Sequence, residues 1–370
     1  MRLSKIIFQE KFRKFQEHVN DKDLVLNLGL ASYIDAGFLF FSPFGKILLD
    51  NINNLIIDYL NKKEFYQVQI PLIHKKDLLL KSGKYKDFSD QIFEFNNKVL
   101  LATSEEYLLE LFEKDILSHY QLPLRYFALS ECFRNIKRPE GTLKTKQFGG
   151  IVMITLDKNE KEFIESMALF EETLDCLFQK MNVSFVKKEK NNGIEYIFPY
   201  DNGEVFEYNG KKIVGLSLAM AYRYLDSKKF NVRYISSTNE FKQVIVGTYG
   251  IGTQRILLAS LKSNLLGSRI NLPEKIKPFE KVVIPIKINE KKQVELADRV
   301  YTILRKNYNK IYLDDRKNLT LKEKLDFADF WSVNEKYLIG DKEVESGRIT
   351  IKKGENVYYK NLDDLLKNEY

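Results

Sequence analysis

Gly247-Thr-Tyr-Gly-Ile-Gly-Thr-Gln-Arg255 is the stretch on which the reading of this chain turns. The apolar run from Gln243 to Thr248 suits a strand, and the residues from Arg255 to Leu261 suit a helix. A strand thus meets a helix across Gly250 and Gly252. A dinucleotide-binding loop would need a third glycine where Arg255 stands, and the upstream strand belongs to an antiparallel region, so that reading is rejected. An arginine in the first turn of a helix is instead placed to hold a polyphosphate. Its guanidinium forks onto phosphate oxygens, and the helix amides favour negative charge.

Upstream, Arg134 leaves a strand-like segment, Ala128 to Phe133, and enters a basic loop with Lys137, Arg138, Lys144 and Lys146. A loop of that charge can wrap a nucleotide. Thr103-Ser-Glu105 places a hydroxyl and a carboxylate at another strand end, a pair suited to a small ammonium-bearing ligand.

Around these residues the pattern predicts an α+β fold. From Pro43 to Leu60 apolar residues recur at helical spacing; Tyr66 to Ile70 alternates as a half-buried strand that Pro71 stops. Short strands are expected at Gln91 to Phe95 and Lys98 to Leu101, joined by Asn96-Asn97, and at Arg125 to Leu129. A packing helix follows from Asn159 to Met181, then strands at Gly193 to Pro199 and Asn231 to Ser236. The two prolines of residues 271–279 mark a joint, giving a first domain at 1–272, a linker at 273–280 and a second domain at 281–370. In the second domain strands and helices alternate: Lys281 to Ile286, Gln293 to Lys306, Lys310 to Leu313, Leu321 to Phe330 and Lys336 to Ile339. That alternation predicts a small α/β domain with a partly parallel sheet.

Composition excludes several classes. Hydrophobic residues make up 44% and charged residues 30% of 370, which argues against disorder. No apolar run reaches the roughly 18 to 20 residues that cross a bilayer, so no membrane is expected. Cys132 and Cys176 are the two cysteines, too few for a disulfide framework or a thiolate metal site, and a reducing cytoplasm is the expected compartment. His18, His74 and His119 have no ligand spacing and read as surface histidines; no metal site is predicted in the protein. The net charge of +8 favours a polyanionic partner.

Together these segments resemble a known family. Gly37 to Pro71 resembles motif 1 of the class II aminoacyl-tRNA synthetases, Phe133-Arg134-Asn135 with its basic loop resembles motif 2, and Gly247 to Arg255 resembles motif 3 in its prolyl form. Met1-Arg-Leu-Ser-Lys5, Thr103-Ser-Glu-Glu106, Tyr120-Gln-Leu-Pro-Leu124 and Asp201-Asn-Gly-Glu204 are similar to the prolyl branch. Leu313-Asp-Asp-Arg316, Ala328-Asp329 and Leu338-Ile-Gly-Asp341 resemble its anticodon-binding domain.

The resemblance implies a class II antiparallel sheet with flanking helices, and a ligase that makes prolyl-adenylate from proline and ATP before transfer to tRNA. It implies Arg134 between the substrate carboxylate and the α-phosphate, Arg255 on the γ-phosphate, and Thr103 with Glu105 on the imino group. Thr248 would line the amino-acid pocket; Lys146, Phe148, Gly250 and Gly252 would line the ATP site. Asp315, Arg316 and Lys324 would contact tRNA. Mg²⁺ would accompany ATP, and the chain would form a homodimer.

The sequence departs from the family pattern at Ile136, Lys146, Gln147, Leu216, Ala219, Tyr222 and Thr248, and the stretch from Asp157 to Gly193 is too short for the editing insertion. These departures keep open an alternative, a catalytically impaired paralogue that retains the fold and tRNA binding.

Overall fold

A computed structural model describes residues 1–7, 24–88, 90–114, 116–190 and 192–367. His18 lies outside the described residues. Two compact units emerge: Met1–Ser32, Phe41–Asn51 and Asn264–Tyr370 in one, Tyr33–Phe40 and Ile52–Ser263 in the other.

The larger unit is built on a seven-stranded sheet. In spatial order its strands are Val186–Lys190, Gly193–Tyr208, Lys211–Arg223, Ile245–Ile251, Gln147–Asp157, Leu124–Phe133 and Tyr66–Gln67. Every neighbouring pair is antiparallel except the last. The expected strand to Ile70 shortens to Tyr66–Gln67, with one further bond from the Val68 amide to the Phe127 carbonyl at 2.8 Å. Pro71 has no amide proton to carry the ladder on.

Gly193–Tyr208 runs far past the expected Pro199 because it folds back on Lys211–Arg223. Asn209 and Gly210, at φ 50° and 70°, make the turn; both central residues of a tight hairpin of this hand need positive φ, which Asn and Gly tolerate. Asn96 and Asn97 do the same between Glu94–Phe95 and Lys98–Leu100, at φ 48° and 59°.

Two helices pack against the sheet. Glu160–Lys180 starts where the Asn159 side chain accepts the Glu162 amide at 3.1 Å, and it buries Phe163, Phe170, Leu174 and Leu177. Phe170 meets Tyr249 of the sheet at 4.8 Å between ring centroids. Thr253–Ser263 follows the strand Ile245–Ile251 after one residue, so Arg255 falls in its first turn.

In the other unit the strands order as Ile311–Leu313, Lys281–Pro285, Glu335–Ile339, Arg348–Lys353 and Asn356–Asn361. The first three are parallel and the last two add antiparallel, so the sheet is partly parallel as the alternation predicts. Helices Lys291–Asn307 and Leu321–Phe330 belong to this unit. Thr320 caps the second, accepting the Glu323 amide while Glu323 returns a bond to the Thr320 amide. Among the described residues no helix is long and apolar enough to cross a membrane.

Candidate active site

A cavity of about 630 Å³ opens over the middle of the seven-stranded sheet, within the larger unit. Alternation along adjacent antiparallel strands builds its floor. Thr248 stands opposite Tyr222 and Gly250 opposite Met220, on alternate rungs, so all four lie on one face of the sheet. At Gly250 a methyl group would meet only the Met220 side chain, at 3.8 Å, and at Gly252 the nearest atom would be the Leu218 carbonyl at 3.5 Å. These glycines keep the floor low; no backbone strain demands them.

One end of the cavity is acidic. Helix Glu105–Glu113 begins with Glu105 and Glu106, which the positive helix end favours, and both are buried. Glu105 Oε1 accepts the Thr248 hydroxyl at 2.9 Å and the Tyr222 hydroxyl at 3.2 Å, while Oε2 accepts the Ser104 amide at 3.0 Å. The Lys84 ammonium lies 3.4 Å from the same Oε1. Burial alone would push the Glu105 carboxyl up; Lys84 and the donors around it outweigh this and hold it down at about 2. Thr103 is turned to the neighbouring carboxylate, its hydroxyl bonded to Glu106, which also accepts the Tyr224 hydroxyl.

The other end is cationic. Arg134 follows the strand Leu124–Phe133, and its amide bonds the Lys146 carbonyl at 2.8 Å. Its guanidinium lies 4.8 Å from the Phe88 ring centroid and 5.5 Å from that of Phe148. Aromatic faces hold a guanidinium without consuming its donors. The protein contacts those donors do make are long, 3.4 and 3.3 Å to the Ala102 carbonyl.

Arg255 is held more firmly. It donates to the Leu143 carbonyl at 3.2 and 2.8 Å and to the Ser217 carbonyl at 3.1 Å, with Glu204 at 3.7 Å. Burial lowers its pKa, against the opposing pull of Glu204 and with a further push from the Arg134 charge, and both arginines line the one cavity. Ser217 Oγ and Gln254 Oε1 line the same cavity, buried and without a hydrogen-bond partner in the protein. Orphaned polar atoms of this kind call for a ligand or water. Burial pushes the Cys132 thiol up to about 12, which removes it as a nucleophile.

Two family models match the chain: the class II tRNA synthetase core domain (G, H, P, S and T) over residues 90–264, and the anticodon binding domain over residues 280–361. This is a class II tRNA synthetase core joined to an anticodon-binding domain. Among its relatives is the proline–tRNA ligase of Ehrlichia ruminantium, 23% identical over 382 residues that cover 88% of this chain and 89% of the relative. That of a Wolbachia from Brugia malayi is 22% identical, covering 88% and 89%. Giardia lamblia prolyl-tRNA synthetase, solved with prolyl-adenylate, superposes with a TM-score of 0.74 at 17% identity, covering 91% of this chain and 73% of that one. The Cryptosporidium parvum enzyme with L-proline and AMP gives 0.71 at 16%, covering 93% and 75%. At that identity the structures establish a shared fold.

The synthetase core gathers Thr103, Glu105, Arg134, Phe148, Thr248, Gly250, Gly252 and Arg255 around one cavity. Lys146 is not on the lining. Its amide bonds the Gly37 carbonyl at 2.8 Å, and Arg138 and Lys144 supply the basic rim instead. In the anticodon-binding domain the expected tRNA contacts turn inward. Arg316 is 2% exposed and grips Asp314 with two bonds of 2.8 and 2.6 Å; Lys324 is 1% exposed and donates to the Pro285 and Asp314 carbonyls. Asp315 accepts the Ser4 amide and hydroxyl at 2.9 and 2.8 Å. Burial leaves Arg316 and Lys324 no surface from which to reach a nucleic acid.

His74 is also corrected, from surface to interior: it is buried, stands edge-on to Tyr107, and lacks a hydrogen-bond partner for either ring nitrogen. Among the described residues no three His, Cys, Asp or Glu side chains converge as metal ligands. The sequence reading missed Lys84, Phe88 and the role of Tyr222. Lys84 and Phe88 lie in a short helix and the turn after it, between the motif that ends at Pro71 and the one that begins at Thr103, with no spacing to flag them.

Proposed function

We propose that this protein is a proline–tRNA ligase, forming prolyl-adenylate from proline and ATP and passing the prolyl group to tRNA. The observation that carries the reading is the cavity with a buried carboxylate at one end and two converging guanidinium groups at the other. An imino acid is a cation and an anion a few bonds apart, and ATP is a polyanion; the two ends match that charge order. The names of the relatives support the choice of proline.

In this reading Glu105 receives the prolyl imino group. Arg134 neutralises the carboxylate as it attacks the α-phosphorus, and Arg255 holds the leaving pyrophosphate. The reaction needs alignment and charge neutralisation, with no nucleophilic side chain. Ser217 and Gln254 offer hydrogen bonds to the nucleotide. Mg²⁺ would be held by the phosphates that bring it, with Glu204 the nearest exposed carboxylate at that end, and would add charge neutralisation there.

The second domain is assigned to tRNA, through the exposed Arg348, Lys353, Lys360 and Tyr359 of its last hairpin. Affinity for tRNA is expected to fall steeply with salt. A homodimer is supported by apolar side chains that the larger unit leaves exposed, among them Tyr66, at 59%, on the edge strand of the seven-stranded sheet, and Ile34, at 76%, in the short strand Ala31–Asp35. The two free cysteines suit a cytoplasmic enzyme.

One observation favours the second reading, a paralogue that binds without activating: three of the five Arg255 N–H groups are already taken by the Leu143 and Ser217 carbonyls. Proline-dependent ATP–pyrophosphate exchange separates the two. Exchange that is present in the wild type and abolished by Arg134→Ala supports the ligase; no exchange from pure, folded protein removes it.

A further inference from the structure

Lys84 has no part in the chemistry outlined above, yet it reaches the acidic end of the cavity. Its ammonium stands 3.4 Å from Glu105 Oε1, 3.4 Å from Glu106 Oε1 and 4.7 Å from the Tyr224 ring centroid, with the side chain 12% exposed. The other groups on the two carboxylates carry no charge. Thr248 and Tyr222 donate hydroxyls to Glu105, and Thr103 and Tyr224 donate hydroxyls to Glu106. Cys132, on the neighbouring strand, is a neutral thiol; Arg134 directs its donors to the Ala102 carbonyl. Two carboxylates and one ammonium leave a single negative charge.

We propose that Lys84 is a positioning residue for the amino-acid subsite: the internal counter-ion that halves the charge of the Glu105–Glu106 pair, so that the subsite takes one imino or ammonium cation. The inference rests on reading the cavity as an amino-acid activation site. Adjacent buried carboxylates with no cation between them cannot both stay ionised, and they share a proton instead. A protonated Glu105 would offer an imino cation a hydroxyl where it needs a charge. With Lys84 in place, Glu105 is held far below neutrality and stays ready for the ligand. A lysine that merely competed with the substrate would act in the opposite sense, because its removal would tighten binding.

The test compares wild type, Lys84→Gln and Lys84→Arg on the full chain. In glutamate-selective carbon NMR, the wild-type Glu105 carboxyl is expected not to titrate between pH 5 and 8, while in Lys84→Gln the pair takes up a proton in that range. In proline-dependent exchange at pH 6, Lys84→Gln is expected to raise KM for proline about tenfold with kcat within about twofold, the gap closing toward pH 8.5, and Lys84→Arg to restore it. Titration of wild-type Glu105 in that range, an unaltered titration in Lys84→Gln, or a lower KM in that variant would each overturn the proposal. If Lys84→Gln does not fold, the wild-type titration and the Lys84→Arg kinetics decide alone. Absence of exchange in the wild type would end the ligase reading, and the titration would still decide the role of Lys84.

Discussion

The cavity and the strand ends of the smaller unit both contain cations near carboxylates, and they use them differently. Around Asp314 the charges are closed: Arg316 binds the carboxylate in a two-bond fork and stacks 4.5 Å from the Phe327 ring, and Lys324 ends on two carbonyls. In the cavity, the Arg134 guanidinium is steadied by two rings, and its hydrogen bonds to the protein are no shorter than 3.3 Å. A satisfied buried network serves architecture. A cation with donors to spare, facing open volume, serves a ligand.

The largest expected effect tests the closed network. Arg316→Ala strands the Asp314 carboxylate in the interior, so unfolding free energy should drop by about 3–5 kcal/mol, measured by denaturant titration. Arg134→Ala should leave the midpoint within the error of that measurement. Equal losses in the two variants would break the contrast.

Thr248→Val sharpens the contrast inside the cavity. It keeps the side-chain shape and removes one donor from Glu105, for an expected cost of about 1–3 kcal/mol, read as a weaker kcat/KM for proline in exchange assays. A change confined to stability would move Thr248 into the architectural group.

The smallest effect concerns a closed cluster inside the sheet of the larger unit. Asp157 accepts the Ser166 hydroxyl at 2.7 Å and the Thr155 hydroxyl at 2.8 Å, and burial raises its pKa from 3.8 to about 6. The folded chain therefore holds this proton more tightly than the unfolded chain. The stability that Asp157 contributes is full below the unfolded value of 3.8 and is lost as pH rises through about 6. Asp157→Asn should flatten the melting midpoint across pH 4 to 6.5 by an amount on the order of 1 kcal/mol. A wild-type midpoint that climbs in step with the variant's over that interval would contradict the assignment.

Much of the site was legible because its parts are short and local. Arg255 in a first helical turn, Arg134 at a strand end and Thr103-Ser-Glu105 each announce themselves within a few residues. Local patterns cannot say which way a side chain turns. Arg316 and Lys324 were placed on tRNA by resemblance, which carries no direction for a side chain; in the fold Arg316 turns onto Asp314 and Lys324 onto the Pro285 and Asp314 carbonyls. His74 misled through its neighbours, with polar Lys75 and Lys76 beside it and Tyr107 packed from a distant helix.

Periodicity, turn residues and three spaced motifs were enough, by themselves, to determine an antiparallel α+β core, a partly parallel second domain and a resemblance to the class II synthetases. These are properties of neighbours along the chain, where backbone geometry sets the rules. Only the tertiary structure decided that Lys84 meets Glu105, that Lys146 leaves the lining, and that Arg316 faces inward. Each of those depends on which distant carboxylate or carbonyl arrives within a few ångströms, and Coulomb and hydrogen-bond energies respond to that distance rather than to separation in sequence.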